Sequence, residues 1–241
     1  MKLNSTLTLS RREQAFTLTE ILTVVAIIGI LAGIMVPTIS RARVRAKVVM
    51  ARLECSNLAS AIKSYYAEYS RFPTAYGQNP NTTPTGGDIT FNFPLGMNHP
   101  KGPPLEGAPM DANTNSIPQI GPLLNSDLVA ILMSVEGVGP NLPNKGFSRN
   151  PKKRVFFDGK MVNEISRPGV GPDGILRDIF RSPYIVTVDF DGDNYCKDDR
   201  LYQPVPGQVI VWSLGPDMQM NTTPGVSADQ KENADNVLSW K

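Results

Sequence analysis

The sequence predicts an α+β fold in which a long N-terminal helix packs on a small C-terminal antiparallel β-sheet. Three observations predict it: an uncharged apolar run from Ile21 to Pro37, a helical spacing of apolar residues that extends it to Tyr69, and two β-branched runs in the last third. The chain has 241 residues, with 24 Lys plus Arg against 22 Asp plus Glu and 41% hydrophobic residues. This balance provides no dominant basic field for nucleic acid, and the apolar content argues against global disorder. The single His99 and the pair Cys55 and Cys196 cannot build a Cys/His zinc cluster and leave little for a His-dependent triad, so no catalytic residue is expected.

The first element is the helix that begins in the apolar run ILTVVAIIGILAGIMVP, 17 residues without a charge. At about 1.5 Å per residue the run spans about 25 Å, and adding Phe16 to Glu20 brings it near the ~30 Å of a hydrocarbon core. A secretory signal has a shorter apolar core and a small-residue exit, whereas this run continues into a helix-compatible segment. Glu20 stands at its start, and because a carboxylate at mid-bilayer costs about 2.5 to 3.5 kcal/mol, it needs a partner. Beyond the run, Val44, Val48, Leu58, Ile62, Tyr65 and Tyr69 recur at spacings of three, four and their multiples, which predicts an amphipathic stem. Pro37 lacks a backbone donor, so a kink or melted stretch is expected between Gly29 and Pro37. From Arg41 to Glu54 the stem carries Arg41, Arg43, Arg45, Lys47 and Arg52 against Glu54, a net +4. The positive-inside rule would draw these residues to the cytoplasm, but Lys2, Arg11 and Arg12 come first and are taken to hold the N-terminus inside.

The stretch from Pro73 to Pro122 holds 10 Pro and 7 Gly in 50 residues and reads as loop, with His99 an ordinary surface residue and one strand through Ile89, Phe91, Phe93, Leu95 and Met97. Ser126 followed by DLVAILMSV reads as a capped helix, and Pro151 to Phe157 (PKKRVFF) as a strand. The β-branched runs Tyr184 to Phe190 (YIVTVDF) and Gln208 to Leu214 (QVIVWSL) predict the antiparallel sheet. Five segments result: a leader (1–15), a membrane-spanning helix (16–39), an amphipathic stem (40–72), the Pro/Gly-rich insertion (73–122) and a globular head (123–241).

Arg11-Arg12-Glu13-Gln14-Ala15, followed by Phe16-Thr17-Leu18-Thr19-Glu20 and the apolar run, resembles the type IV prepilin family, whose signature is a basic leader, cleavage before Phe and the sequence FTLxE. The resemblance implies a pilin-like fold. It implies that a prepilin peptidase cuts between Ala15 and Phe16 and methylates the new Phe16 amine, although the family's usual Gly is Ala15 here. It also implies that Glu20 pairs with the Phe16 amine of a neighbouring subunit during assembly. Within the family, Asp173-Gly174 through Arg177-Asp178, Ser182-Pro183-Tyr184, Ser213-Leu214-Gly215-Pro216-Asp217 and the ending Asp235-Asn236-Val237-Leu238-Ser239-Trp240 look like the major pseudopilin of type II secretion. The usual DPWGxPY is DIFRSPY in this chain. The resemblance implies a single-pass protein of the inner membrane with a periplasmic head. Its partners would be further copies in a helical filament, minor pseudopilins, the peptidase and the inner-membrane assembly platform; nucleic acid is not an expected partner. Two other readings stand beside this one: a type IV pilus or DNA-uptake subunit, and an uncleaved membrane-anchored binding domain.

Members of that subclass hold calcium in the loop after the last strand, which implies ligation by the Leu214 carbonyl, Asp217 and Asp235, with Ser213 or Thr222 as further candidates. Oxygen donors suit this hard cation. A second acidic run, Asp189, Asp191, Asp193, Asn194, Asp198 and Asp199, fails the EF-hand pattern because the sixth and twelfth positions are Asn194 and Arg200. It reads as a tight turn, with a non-EF calcium loop as the alternative. Cys55 and Cys196 either pair in an oxidising compartment or are buried apart.

Overall fold

In the computed structural model, residues 17–74, 88–92, 124–137, 142–196, 204–219 and 233–240 are described. Ala15, Phe16, Phe93, Leu95, Met97, His99, Asp198, Asp199 and Thr222 lie outside them. The chain divides into two compact units, Met1–Val44 and Arg45–Lys241.

Helix α1 (Leu18–Tyr69) contributes to both units. In the first unit its described side chains are exposed, and the 18-residue window of mean hydropathy 2.5 has none of its residues buried. A core helix of a soluble protein would hide such a face, so the surface is suited to lipid or to other apolar helices. Two hydroxyls along this stretch are satisfied within the helix, as Thr23 donates to Thr19 O at 2.8 Å and Thr38 to Ile34 O at 2.9 Å. That is the arrangement required where water is absent. The melted stretch expected between Gly29 and Pro37 is not observed: α1 is helical throughout residues 29–37. One missing donor removes a single rung, and the long helical flanks sustain the rest.

Of the residues in the predicted periodicity, Leu58, Ile62 and Tyr65 are buried in the second unit in a seam with Ala51 and Cys55, Val48 and Tyr69 are half-buried, and Val44, in the first unit, is exposed. This seam packs into a core with Val186, Val188, Val209 and Val211 of the sheet. The strands in chain order are β1 (Ile89–Phe91), β2 (Gly169–Val170), β3 (Leu176–Arg177), β4 (Ile185–Val188), β5 (Tyr195–Cys196), β6 (Val205–Pro206), β7 (Val209–Ser213) and β8 (Val237–Leu238). The main sheet is antiparallel in the order β1-β4-β7-β8, while β2-β3 and β5-β6 form two small hairpins. The two predicted β-branched runs are the central pair, with Val186 opposite Val211 and Val188 opposite Val209. Thr90 and Thr187 face each other across β1 and β4 with their hydroxyls 3.0 Å apart.

Two further expectations are corrected. Helix α2 (Asn125–Leu132) starts one residue before Ser126, which does not cap it; its N-cap is Leu124, and Asn92 Oδ1 accepts the Asn125 N–H at 3.2 Å. Asn125, fully buried, instead joins α2 to the sheet: its Oδ1 accepts from Leu176 N–H at 2.9 Å and its Nδ2 donates to Tyr184 O at 2.9 Å. Residues 151–157 form no strand. The Phe156 and Phe157 N–H groups both turn to Leu132 O, and Arg154 N–H donates to Asn150 Oδ1, so local acceptors take the donors that a ladder would need.

Candidate functional site

Four places carry the chemistry that the sequence singles out, beginning with the helix start. Thr17 N–H donates to Glu20 Oε2 at 2.7 Å and the Thr17 hydroxyl donates to the same oxygen at 2.8 Å, while Glu20 N–H donates back to Thr17 Oγ1 at 3.3 Å. This is a capping box, two orphan donors satisfied reciprocally. The T-x-x-E spacing from Thr17 to Glu20 could have revealed it. Glu20 thus has a role within its own chain, and both bonds from Thr17 fall on one carboxylate oxygen.

A second place is the seam between α1 and the turn from Asp178 to Tyr184. The Asp178 Oδ1 accepts from the N–H groups of Phe180 and Ser182, each at 2.8 Å, and its Oδ2 accepts from the Ser213 hydroxyl of β7. Asp178 therefore organises the DIFRSPY turn and ties it to the sheet, which explains why that segment needs an acid at its head. Burial pushes its pKa up to about 6 against the hydrogen bonds that favour the anion, with a smaller push from the charge of Glu54. Across the seam Glu54 accepts the Tyr184 hydroxyl at 2.7 Å, and burial raises its pKa as well. Upstream, Arg177 grips Asp173 through two bonds of 2.9 and 2.6 Å, closing the β2-β3 turn at Gly174. These pairings were not predicted; the sequence marked the residues without indicating their partners.

The C-terminal loop is the third. The structure brings Asp217 and Asp235 together across 18 positions, with Asp217 N–H donating to Asp235 Oδ2 at 3.1 Å. Gly215 makes this possible: it has φ +70°, and a Cβ there would lie 2.1 Å from the Asp235 carbonyl oxygen. Leu214, the residue before it, is buried, and Ser213 Oγ accepts Gly215 N–H at 3.1 Å while serving Asp178. Burial raises the Asp235 pKa, and the nearby Asp217 charge adds to the rise. Two predicted ligands thus meet in one oxygen-rich corner, a donor set that fits a hard cation.

The fourth is the acidic run. Asp189 takes Gly192 N–H at 2.7 Å on one oxygen and Asn194 N–H at 2.8 Å on the other, and Asp193 takes Tyr195 N–H at 2.9 Å. Gly192 and Asn194 have φ of +80° and +64°. The carboxylates are the internal scaffold of a tight turn, as the sequence reading favoured. Asp88, from the Pro/Gly-rich segment, joins them: one carboxylate oxygen from each of Asp88, Asp189 and Asp191 lies within 4.8 Å of the others. Cys55 and Cys196 are both buried and free, so the pairing alternative is excluded in this structure. Each thiol approaches a backbone carbonyl, Val237 O at 3.9 Å and Gly207 O at 3.1 Å respectively.

Comparison with known proteins bears on the first place. A family model described as the prokaryotic N-terminal methylation motif matches residues 10–36. The type IV major pilin protein PilA of Myxococcus xanthus (strain DK1622) is 41% identical over 61 residues, a stretch that covers 25% of this chain and 28% of that relative. No solved structure matches. The chain is therefore type IV pilin-like in its N-terminal motif and carries a membrane-type apolar helix, and the likeness to the curated relative spans about a quarter of each chain.

Proposed function

We propose that this pilin-like chain is a structural subunit, not an enzyme, of a type II secretion pseudopilus. It would be trimmed between Ala15 and Phe16, methylated at Phe16, held in the inner membrane with its head in the periplasm, and assembled with further copies and minor pseudopilins on the membrane platform. One observation carries the filament-subunit part: the methylation motif at 10–36 runs directly into an apolar helix whose described side chains are exposed. Such a surface is stable only in lipid or against other helices, and a methylation motif marks a chain that passes from one to the other. In the filament, Glu20 would exchange part of its capping role for the Phe16 amine of a neighbour. The pseudopilus is favoured by the SLGPD segment and the closing DNVLSW, which the fold brings together at Asp217 and Asp235. The match to a major pilin favours a second reading, a type IV pilus subunit.

The test is intact mass and N-terminal sequencing of the protein recovered from membranes of cells with a prepilin peptidase. A chain that begins at N-methylated Phe16 is the expected result. One that still begins at Met1 would make it an uncleaved anchored domain.

Calcium belongs to this proposal. Leu214 through its carbonyl, Asp217 and Asp235 would hold the ion, whose charge would offset the repulsion of two adjacent carboxylates and clamp the chain end to the sheet. For the full chain in detergent, calcium is expected to raise the Tm by several degrees. In Asp217→Ala the rise should vanish; an equal rise in that variant would remove calcium from this corner.

A further inference from the structure

The cations that follow the apolar run have no role in the sites described. Arg41, Arg43, Arg45 and Lys47 fall on successive turns of α1, and all four are exposed. Among the described residues the ion pairs engage Glu68, Glu164 and Asp173, and none involves these four. At 100° per residue they form two pairs at i, i+4, Arg41 with Arg45 and Arg43 with Lys47, on nearly opposite sides of the helix. Like charges at that spacing repel, so the arrangement destabilises its own helix unless anions from outside neutralise it.

The placement indicates which anions. Twenty residues from Ile21 to Ser40 cover about 30 Å of helix, the thickness of the hydrocarbon layer. The next seven cover roughly another 9 Å, comparable to a headgroup layer. Cations on both sides of a helix suit a partner that surrounds it. A bilayer surface does so; a duplex or an acidic protein face would meet one side only.

On the reading that α1 crosses a membrane, we infer that Arg41, Arg43, Arg45 and Lys47 form a collar that binds anionic phospholipid headgroups around the emerging helix. The phosphates neutralise the repulsion within the collar, and the collar fixes the depth at which the subunit waits before assembly. Since the interaction is largely ionic, salt weakens it.

The test uses the full chain in a neutral detergent, titrated with phosphatidylglycerol or phosphatidylcholine, with lipid adducts counted by native mass spectrometry. The expected result is a preference of at least about tenfold for phosphatidylglycerol, reduced by salt. It should be lost when Arg41, Arg43, Arg45 and Lys47 are all changed to Gln, and retained when Lys63, Lys145, Lys153 and Lys160 are changed instead, which removes the same net charge. Equal adducts of the two lipids, or a preference that survives the collar variant, would overturn the collar. So would salt-sensitive retention of a DNA duplex, lost in the collar variant, without any lipid preference. Insertion into phosphatidylcholine vesicles, measured in parallel, separates the premises: a chain that inserts without anionic preference defeats the collar alone, and one that does not insert defeats the membrane reading as well.

Discussion

Asp178→Asn is expected to leave the head about as stable as the parent at pH 4 and more stable by up to about 3 kcal/mol at pH 8. Asp178 is buried, and its pKa is raised to about 6 from an ordinary 3.8. A carboxyl whose folded pKa is raised binds its proton more tightly in the native state than in the unfolded chain. Below about pH 4 both states are protonated and the group is neutral in the comparison. Between about 4 and 6 the unfolded chain ionises first, so stability falls as pH rises, and above about 6 the loss is complete. Asn keeps the Oδ1 acceptor for the Phe180 and Ser182 N–H groups and offers an amide to the Ser213 hydroxyl, so it resembles the protonated acid at every pH. Asp178→Ala should behave differently. Three donors, two buried and the Phe180 N–H half-buried, would lose their acceptor, at about 1 to 3 kcal/mol for each buried one before relaxation, and the variant should be weakened throughout the pH range. Chemical denaturation of the full chain in detergent at pH 4 and pH 8 checks both. Glu54 and Asp235, whose pKa values burial also raises, give both proteins a shared pH dependence, so the test is the difference between them: a parent no more pH-dependent than Asp178→Asn would show that the carboxyl is ionised and compensated by some other means.

Much of the fold was legible because its signals are periodic. The spacing from Val48 to Tyr69 and the β-branched runs around Ile185 and Val209 each repeat a local rule several times; the helix buries the face that spacing marks, while Val44 stays exposed, and the two central strands are buried on both faces. The failures have local causes. Ser126 has the chemistry of a cap, but Asn125 is needed to bridge Leu176 and Tyr184, so the helix starts earlier and buries the better hydrogen-bonding residue. PKKRVFF has strand-forming residues at its end, yet the free carbonyl of Leu132 captures their N–H groups. Neither competition shows in a linear pattern. The site was legible in its parts and not in its pairings. Glu20 and Phe16 were identified from a motif, but the cap from Thr17 was overlooked although its spacing is visible. The bond from Tyr184 to Glu54 joins residues 130 positions apart, and the place of Asp88 beside Asp189 depends on β1 pairing with β4. Long-range partners of single polar residues leave no periodic trace.

Gly215→Ala should be the most damaging change in the C-terminal corner. Gly215 has φ +70°, where a residue with a Cβ is strained by about 1 to 3 kcal/mol. Gly146 provides the reference, with φ +62° and no atom within 4 Å of its own virtual Cβ, so Gly146→Ala carries the conformational cost alone. At Gly215 the new methyl would lie 2.1 Å from the Asp235 carbonyl oxygen and 2.8 Å from its carbon, and both are backbone atoms that no rotamer change can move aside. The chain end must therefore shift. Asp235 then leaves Asp217, and the pairing of Val237 with Ser213 and of Leu238 with Trp212, which attaches β8 to the sheet, is pulled out of register. The expected loss is the Gly146→Ala cost plus about 1 to 3 kcal/mol for the disrupted edge. Thermal or denaturant unfolding of the two variants side by side isolates that excess, and equal losses would mean that the close approach of Gly215 to Asp235 contributes nothing to the fold. The same variant separates the two roles of this corner: if calcium is held there, Gly215→Ala should lose its calcium-dependent rise in Tm even though every candidate ligand remains in the chain.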